Sequence, residues 1–401
     1  MGVPWLPLAA ALVVGGLVLG SAWLLEIGAL VAAAGVLARL WSGMALAGVT
    51  YTRRLSRPAV FAGETVELVA ELANAKLLPA AWVRVTDDVP DGLDFGARAL
   101  SASTRPRRRA LVHLAALRPY ERTTWRYPVG CPARGFYLFG PVQLESGDIF
   151  GLYPRQREEA GHGRLLVYPN LRPLAQLGFP AGDPFGGRRA DRPLTEDPLR
   201  PVGVREYRPE DSRRHVDWKA TARQGDLRVR VHEPASEATL VVVLNVATFS
   251  QTWIGVDPQV QEAVIAVAAS IAEHALAHGH AVGLTANGSV PSTGRAIHVP
   301  AGRHPGALAR ILEALAAITA FVKVPVEQLV VGASRRAPWG ATLVVVTAVV
   351  SDALRAELVR LRRAGRRVVL VSLDDGFSAA TPGIQTHHVP RERLIFGGGL
   401  A

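Results

Sequence analysis

The chain has 401 residues, of which 49% are hydrophobic, and its formal net charge is +11 at pH 7. This length suits two or three domains with sizeable cores. The basic charge permits contact with nucleic acid or anionic lipid. It equally fits a compositional bias of the source genome. The single cysteine, Cys131, excludes an intrachain disulfide and a thiolate metal cluster, and we interpret it as a buried core residue.

The first 48 residues are more apolar than the rest of the chain. Residues 5–19 and 23–37 predict two short transmembrane helices that form a hairpin within residues 1–48, with a turn near residues 20–26. Tryptophan recurs every 18 residues, at Trp5, Trp23 and Trp41. Such a spacing corresponds to about 27 Å of helix, close to the thickness of a bilayer hydrocarbon core, and tryptophan prefers the membrane interface. The pattern therefore predicts aromatic anchors on alternating sides of a lipid bilayer.

Basic residues follow the second apolar stretch, at Arg39, Arg53, Arg54 and Arg57. By the positive-inside rule this side faces the cytoplasm, and a hairpin returns the amino terminus to the same side. We therefore expect a protein of the inner (plasma) membrane with two transmembrane helices and cytoplasmic soluble domains. A cleaved signal peptide is the alternative, and it is weakened because no Lys or Arg precedes the apolar stretch. A buried helical hairpin in a soluble protein would need a polar face, which the stretch lacks.

Residues 49–170 change to a period of two, which is typical of strands with one buried face. The strand candidates are residues 65–72, 81–87, 111–114, 124–129 and 163–168. Turn-forming residues separate them, so this region is predicted to be an antiparallel β-sandwich-like domain or a partly open barrel. Residues 178–201 are rich in Gly, Pro and charge, and residues 171–201 are interpreted as a linker or surface loop.

Residues 202–401 alternate between apolar strands and helices. The strands are predicted at residues 239–246, 280–285, 341–346 and 367–373, and the helices at residues 258–278, 304–321 and 352–364. Near-continuous Val and Leu runs indicate strands buried on both faces, and intervening helices then indicate a parallel, doubly wound α/β sheet. Pro258 suits the first turn of its helix, where its missing N–H is harmless.

The most charged stretch, residues 205–225, precedes the strand that starts at residue 239 and holds no nucleophile beside a base. Its pattern predicts a strand, a turn, a helix and a second strand. We expect Asp211 or Ser212 to cap the helix at its amino end and Gly225 to end it. Arg213 and Asp217 are four residues apart and would pair on one helix face. A structural charge network and a docking surface for a protein both fit this stretch.

Further short motifs accompany the charged stretch. They lie at residues 134–141, 147–152 and 167–169, and upstream at Asn74, residues 78–79 and residues 82–83. Residues 205–225 resemble the signature of the bacterial family known as domain of unknown function 58, and the further motifs fit the same family in their order and spacing, although Ile149 replaces the proline that is usual in the second motif. The resemblance covers essentially the whole chain. It implies a membrane hairpin, a β domain and a von Willebrand factor A-like domain, in a family whose biochemical role is unsettled.

The resemblance to von Willebrand A domains gives a chemical test for a metal ion. Metal-binding members carry Asp-x-Ser-x-Ser after the first buried strand, so that the acid and two hydroxyls ligate a divalent cation. The matching positions here hold neither a carboxylate nor a hydroxyl: Asn245, Ala247 and Phe249. Ser351 and Asp352 follow a later strand and compensate only in part. We therefore expect a degenerate metal site and no cofactor.

The resemblance also implies a partner, because proteins of the family are typically encoded near MoxR-type AAA+ ATPases and often near transglutaminase-like membrane proteins. We predict a non-enzymatic, membrane-tethered interaction or scaffold protein that works with such an ATPase in a chaperone-like or envelope-related assembly. The expected partner-binding residues lie in the charged stretch: Arg208, Asp211, Arg213, Asp217, Trp218 and Arg223. The alternative is an envelope-associated hydrolase, or its regulatory subunit, with an unrecognised site around Asp211, Asp217 and His215.

Two further clusters are interpreted as structural or solvated. His387 and His388 are adjacent, so on a strand they point to opposite faces and cannot share a metal ion. Residues 105–109 form a basic run in a loop, for which solvent is the default environment and anionic lipid headgroups are the alternative. Nucleic acid is not expected as a partner, because no aromatic side chains for base stacking are interleaved with the basic residues.

Overall fold

The fold is described from a computed structural model of the chain. It describes residues 5–96, 100–161, 163–180, 184–185, 196–208, 216–234, 239–251, 255–289, 296–374, 376 and 381–391. The chain divides into two compact units, Met1–Asn170 and Leu171–Ala401.

The first unit begins with two packed helices, α1 (Trp5–Leu19) and α2 (Ala22–Ala45). The turn between them is confined to residues 20–21, and Gly20 has a φ of 64°. The second helix is therefore longer at both ends than the apolar stretch alone predicted. Its buried face consists of small residues: Gly28, Gly35, Ala38, Ser42 and Ala45. Small side chains at intervals of three, four and seven residues allow two helix backbones to approach closely.

The outer surface of the two helices is apolar, with large exposed side chains such as Leu17, Leu30 and Leu40. Two helices in the described part of the chain are long and apolar enough to cross a membrane, α2 and the helix Pro258–Ala277 of the second unit. Their environments differ, because the most apolar stretch of α2 is 17% buried and that of Pro258–Ala277 is 72% buried. The latter is therefore a core helix, and α2 exposes its apolar side chains.

The remainder of the first unit is a β domain. Its strands are β1 (Val49–Leu55), β2 (Ala59–Phe61), β3 (Thr65–Asn74), β4 (Ala80–Pro90), β5 (Ser101–Ala102), β6 (Arg108–Leu117), β7 (Arg122–Gly130), β8 (Gly135–Phe139), β9 (Val142–Ser146), β10 (Arg155–Glu159) and β11 (Gly163–Tyr168). They form three sheets, ordered β1-β3-β7, β10-β9-β4-β6-β5 and β2-β11-β8. The third sheet is mixed, because β11 runs parallel to β2 and antiparallel to β8. The alternation had suggested a wholly antiparallel domain. The parallel pairing of β2 with β11 corrects that prediction.

Two cations join the end of α2 to the β domain. The Lys76 ammonium donates to the carbonyl oxygens of Ala45 and Ala47, at 2.6 and 2.7 Å. The Arg157 guanidinium donates to the carbonyls of Leu46 and Val49, at 2.9 and 2.5 Å. The carbonyls of Ala45, Leu46 and Ala47 at the helix end have no helical partner, and positive charge is favourable at a helix carboxyl end. Burial, and then the charge of Arg157, lowers the pKa of Lys76.

A charged pair lies in the interior of the β domain. The side chains of Arg53 and Asp87 form an ion pair in which they are 5% and 0% exposed. The Tyr51 hydroxyl donates to the same carboxylate at 2.8 Å, and Arg53 also donates to the Gly161 carbonyl at 2.5 Å. Arg53 was counted above among the charges beside the second helix; in the fold it is a buried partner of Asp87, whereas the neighbouring Arg54 is exposed.

The second unit contains a two-stranded hairpin and a six-stranded sheet. The hairpin pairs β12 (Glu196–Glu206) with β13 (Arg228–Pro234), with α3 (Trp218–Gln224) between them. The sheet is built from β14 (Thr239–Leu244), β15 (Ala281–Ser289), β16 (Ala296–Gly302), β17 (Thr342–Thr347), β18 (Arg367–Ser372) and β19 (Gln385–His388). Its order is β16-β15-β14-β17-β18-β19, and all neighbours are parallel except the edge strand β16.

Four helices cover this sheet: α4 (Pro258–Ala277), α5 (Ala307–Ala316), α6 (Val326–Arg336) and α7 (Asp352–Arg363). Alternate residues of the central strands, such as Val241 and Leu343, form one core with α6 and α7. The helices α4 and α5 pack against each other and against the strands, on the opposite face. The predicted helix at residues 304–321 is shorter, and β16, α6 and β19 were not predicted.

The start of the expected linker is packed rather than free. Leu174, Leu177 and Phe179 are buried, and so is Phe185. The Arg172 amide donates to the Ser270 hydroxyl of α4 at 2.9 Å. This apolar segment therefore belongs to the second unit, and the Gly, Pro and charge content that suggested a linker is concentrated further along the chain. Residues 186–195 lie outside the described part.

Candidate functional site

The polar site of the α/β sheet lies where three parallel strands end. Leu244 of β14 is in register with Ala286 of β15 and with Val346 of β17. The next residues in each chain, Asn245, Asn287 and Thr347, therefore lie side by side and are all buried. Carboxyl ends of strands in open α/β sheets are the usual position of ligand sites.

These three side chains form a closed network of neutral hydrogen bonds. The Asn245 amide nitrogen donates to the Thr347 hydroxyl at 2.9 Å, and its oxygen accepts from the Asn287 amide at 2.7 Å and from the Ala247 backbone N–H at 3.1 Å. The Asn287 oxygen accepts from the Val246 N–H at 2.9 Å. The amide of Asn245 is thus occupied by neutral partners, so it offers no free oxygen pair to a cation.

A cavity of about 390 Å³ adjoins this network, and Lys323, Glu327 and Ser351 line it together with Asn245 and Phe249. The Ser351 hydroxyl donates to Glu327 at 2.8 Å and accepts from the Leu354 N–H at 3.1 Å, so it caps α7. Ser351 is thus engaged as the cap of α7, and the Glu327 carboxylate accepts its hydrogen bond.

Several positions were compared above with the metal ligands of von Willebrand A domains, and the structure shows the surroundings of each. Ala247 and Phe249 line the cavity without an oxygen in their side chains. The Thr248 hydroxyl accepts from the Asp257 N–H at 2.7 Å. Asp352 is turned to solvent, 3.6 Å from Arg355. In the part of the chain that the structure describes, there is no group of three His, Cys, Asp or Glu side chains that could hold a metal.

We predict that Mg²⁺ and Mn²⁺ do not bind at Asn245 with micromolar affinity. The reason is that hard divalent cations prefer charged carboxylate oxygens, and the network around Asn245 is neutral and already saturated. Titration calorimetry of the full chain in detergent measures this directly. The Asn245→Ala variant is the control, and micromolar binding that disappears in this variant would contradict the prediction.

The charged stretch forms a helix whose cap differs from the prediction. Asp217 precedes α3, and its carboxylate accepts from the N–H groups of Lys219 and Ala220, both at 3.1 Å. The expectation that Asp211 or Ser212 would cap the helix is therefore wrong, since α3 begins at Trp218. Gly225 ends the helix as predicted, with a φ of 82° in the left-handed region.

Part of this stretch cannot be placed. Asp211, Arg213 and His215 lie within residues 209–215, outside the described residues, so their pairing and any metal or hydrolytic site that includes them stay predictions. The carboxylate of Asp217 is engaged as the cap of α3. Arg208 and Arg223 lie at the surface.

Large apolar side chains are exposed around α3. Trp218 is 69% exposed, and Val204 and Leu227, on β12 and just before β13, are also exposed. Below them, Val216 and Val229 pair across an isolated bridge and are buried. We call Val204, Arg208, Trp218, Arg223 and Leu227 the α3 surface. It combines an aromatic side chain with two arginines, and the neighbouring residues Glu206 and Arg228, 3.7 Å apart, add charges of both signs.

The remaining singled-out residues have structural surroundings. His387 contacts Phe179 at 4.9 Å between ring centroids, and burial lowers its pKa. Cys131 is buried, and burial raises the pKa of its thiol to about 11. Within the basic run, Arg105 pairs with Glu158 at 3.0 Å, and Arg108 donates to the Leu138 carbonyl at 2.8 Å. This run is therefore held in part by the β domain.

Comparison with known proteins finds a family whose profile matches most of the second unit. The matching family is described as "Protein of unknown function DUF58". Residues 203–386 match its profile. That span includes α3 and the six-stranded sheet, and it is somewhat less than half of the chain. A relative in Bacillus subtilis (strain 168), the "Uncharacterized protein YeaD", is 24% identical over 238 residues, which are 59% of this chain and 55% of that protein. The match therefore spans just over half the length of that relative.

Solved structures show only distant likeness. The CARDB domain of a Pyrococcus furiosus protein aligns over 30% of this chain and 91% of its own, at 10% identity and a TM-score of 0.21. The sporulation control protein Spo0M from Bacillus subtilis aligns over 30% of this chain and 49% of its own, at 13% identity and a TM-score of 0.17.

Sequence reasoning missed Asn287, Thr347, Lys323 and Glu327. A signal existed for the first two, since each is a polar residue directly after a run of buried strand residues, as Asn245 is. Lys323 lies just before α6 and Glu327 in its first turn, and this helix had not been predicted, so nothing connected the two residues to the site.

Proposed function

We propose that the chain is a membrane-tethered, non-enzymatic interaction protein whose DUF58-matching region docks a protein partner through the α3 surface. The observation that carries this proposal is the exposed Trp218 at the first position of α3, at the centre of the most charged stretch of the region. Tryptophan and arginine are the residues most enriched at binding hot spots. An exposed indole of this size is an anchor available to a partner.

The tether is the pair of helices α1 and α2. Their outward side chains are large and apolar, and their small residues face each other, as expected when lipid surrounds a helical hairpin. Arg39, Arg54 and Arg57 follow the apolar core of α2, which favours a cytoplasmic side for the β and α/β domains. The chain then belongs to the inner membrane with its soluble domains in the cytoplasm.

The α/β domain is proposed to be von Willebrand A-like. Support comes from the sheet order, with the first strand of the sheet in its centre, and from the antiparallel edge strand β16. The position that binds metal in such domains is filled here by the Asn245–Asn287–Thr347 network. Partner capture through a bound cation is therefore replaced by contact with another surface.

The proposed partner is a AAA+ ATPase of the MoxR type, in a chaperone-like or envelope-related assembly that includes a transglutaminase-like membrane protein. This assignment rests on the family resemblance. The mixed charge around α3 supports a protein rather than a phosphate backbone as the partner, since alternating signs give specific pairing with a complementary surface.

The proposal predicts that Trp218→Ala and Arg223→Glu each weaken binding of the ATPase by at least 2 kcal/mol, about 30-fold, as is typical of hot spots. Binding is measured with the purified full chain in detergent and the purified ATPase. The melting temperature of each variant should stay close to that of the wild type, because both side chains are exposed.

Matched controls lie on the same unit. Arg335 is an exposed arginine in the last turn of α6, as Arg223 is in the last turn of α3, and Phe321 is an exposed aromatic residue. Arg335→Glu and Phe321→Ala should leave binding unchanged. Full binding by both α3 variants, or equal loss in the controls, would show that α3 is not the docking surface.

A further inference from the structure

A short loop of the β domain exposes three large apolar side chains in succession. Ile149, Phe150 and Leu152 are 61%, 72% and 40% exposed. They belong to the segment between β9 and β10, which contains one of the motifs singled out in the sequence and has no part in the proposed docking surface. We call residues 149–152 the apolar loop.

The apolar loop is held in one conformation by a buried carboxylate. Asp148 is 1% exposed, and its oxygens accept from the N–H groups of Phe150, Leu152 and Tyr153 at 3.0, 3.2 and 2.7 Å. Its own carbonyl accepts from the Trp82 indole at 3.0 Å. Because the backbone is folded around the carboxylate, the apolar side chains point outward.

The apolar loop adjoins the base of the helical hairpin. The Tyr153 carbonyl accepts from the Ser42 hydroxyl at 2.5 Å, and the Tyr153 hydroxyl accepts from the indole N–H of Trp5. Ser42 lies one turn before the end of α2, and Trp5 is the first residue of α1. Both contacts place the loop at the end of the hairpin where the two helices meet the β domain.

This end of the hairpin corresponds to one face of the bilayer. From Trp23 to Trp41, α2 rises about 27 Å, which nearly spans a hydrocarbon core of about 30 Å. Arg39 is the first charged residue of α2 after Glu26, and an arginine near a helix end extends its head group to the interface. Trp41 and Ser42 are therefore level with the lipid headgroups. The apolar loop is at the same level, because Tyr153, which follows it directly, contacts Ser42.

We propose that the apolar loop inserts Ile149, Phe150 and Leu152 into the interfacial layer of the membrane that the hairpin spans. The inference rests on the membrane hairpin of the proposed function. A lipid surface is the expected contact for two reasons. The exposed side chains continue the apolar exterior of α1 and α2 at the end of the hairpin. Apolar side chains held beside the end of a transmembrane helix partition to the boundary between headgroups and acyl chains. The loop gives the β domain a second attachment to the bilayer.

Fluorescence quenching by spin-labelled lipids tests the proposal. The full chain is placed in phosphatidylcholine nanodiscs with a fluorophore on a single introduced cysteine, in Phe150→Cys, Leu30→Cys or Phe136→Cys. Cys131 stays in place, because it is 1% exposed. Phe136 is an exposed aromatic residue of β8, whose strand partner is β11, and it is the matched control for Phe150.

A probe at position 150 should be quenched roughly twofold or more by a spin label near the headgroup and less by one near the end of the acyl chain, as expected for interfacial depth. The probe at position 30 should show the reverse order, and the probe at position 136 should not respond. A quenched position 30 with an unresponsive position 150 would overturn the loop proposal and leave the hairpin intact. An unresponsive position 30 would overturn the membrane span itself, and equal quenching at 150 and 136 would exclude a specific role for the loop.

Discussion

Replacing Arg53 by Met is expected to destabilise the β domain by about 3–5 kcal/mol, because removal of one partner leaves the other buried without its counter-charge. Asp87 would then be fully buried with the Tyr51 hydroxyl as its remaining donor. Burial raises the pKa of Asp87, and the charge of Arg53 acts against this rise. The loss of stability should therefore shrink as the pH falls toward 3.8, the ordinary pKa of Asp, and be smallest below it, since the carboxyl is then protonated in the folded and unfolded chains alike.

Hydrogen exchange detected by mass spectrometry measures this effect in the full chain. Peptides from β1 and β4 report the opening of the β domain, and peptides from β14 and β17 report the second unit in the same sample. Arg54→Met is the control, since Arg54 is the exposed neighbour of Arg53 on β1. A loss of protection in β1 and β4 no larger than that in the control would show that the buried pair contributes little.

Gly35→Leu is expected to separate α1 from α2. A Cβ atom at Gly35 would overlap the Trp5 ring, and one at Gly28 would lie 2.8 Å from Val13. Overpacking of this kind costs about 1–3 kcal/mol. Since 1.4 kcal/mol corresponds to a factor of ten in an equilibrium constant, the helices should separate about tenfold more often.

The reactivity of a cysteine at Ala9 measures this separation. Ala9 is 5% exposed, so a maleimide should modify Ala9→Cys slowly in the otherwise unchanged chain and about tenfold faster with Gly35→Leu, in proportion to the open population. Gly43→Leu is the matched control, because a Cβ atom at Gly43 would meet no atom of a neighbouring segment within 4 Å. Equal rates in the two variants would show that the helices are not in close contact at Gly35.

Periodicity predicted those elements that carry one uniform pattern. Strict alternation at residues 65–72 gave β3, and the run that starts at Gly163 gave β11 with the observed bounds. Pro258 marked the start of α4, where Asp257 is the cap. In these segments local sequence and tertiary burial act in the same direction, so the pattern alone is sufficient.

Other features depend on contacts that no local pattern encodes. The helix α6 is short and has charges in both of its end turns, and β16 and β19 are edge strands, so none of them has a continuous apolar signal. Arg53 and Asp87 are 34 residues apart on strands of two different sheets, and only the packing of the domain makes them a buried pair. The cap of α3 was misplaced because Asp211, Ser212 and Asp217 are all suitable capping residues, and the local sequence does not choose among them.

The hydrogen bonds from Lys76 and Arg157 to the carbonyls at the end of α2 determine how force passes through the first unit. A flexible linker at this point would let the β domain swivel and would dissipate any pull from a partner. Three charge-assisted hydrogen bonds, from Lys76 after β3 and Arg157 of β10, instead connect the domain to the carbonyls of Ala45, Leu46 and Ala47 at the helix end. These bonds couple α2 to the β domain, so a torque applied to the domain is transmitted to the helices.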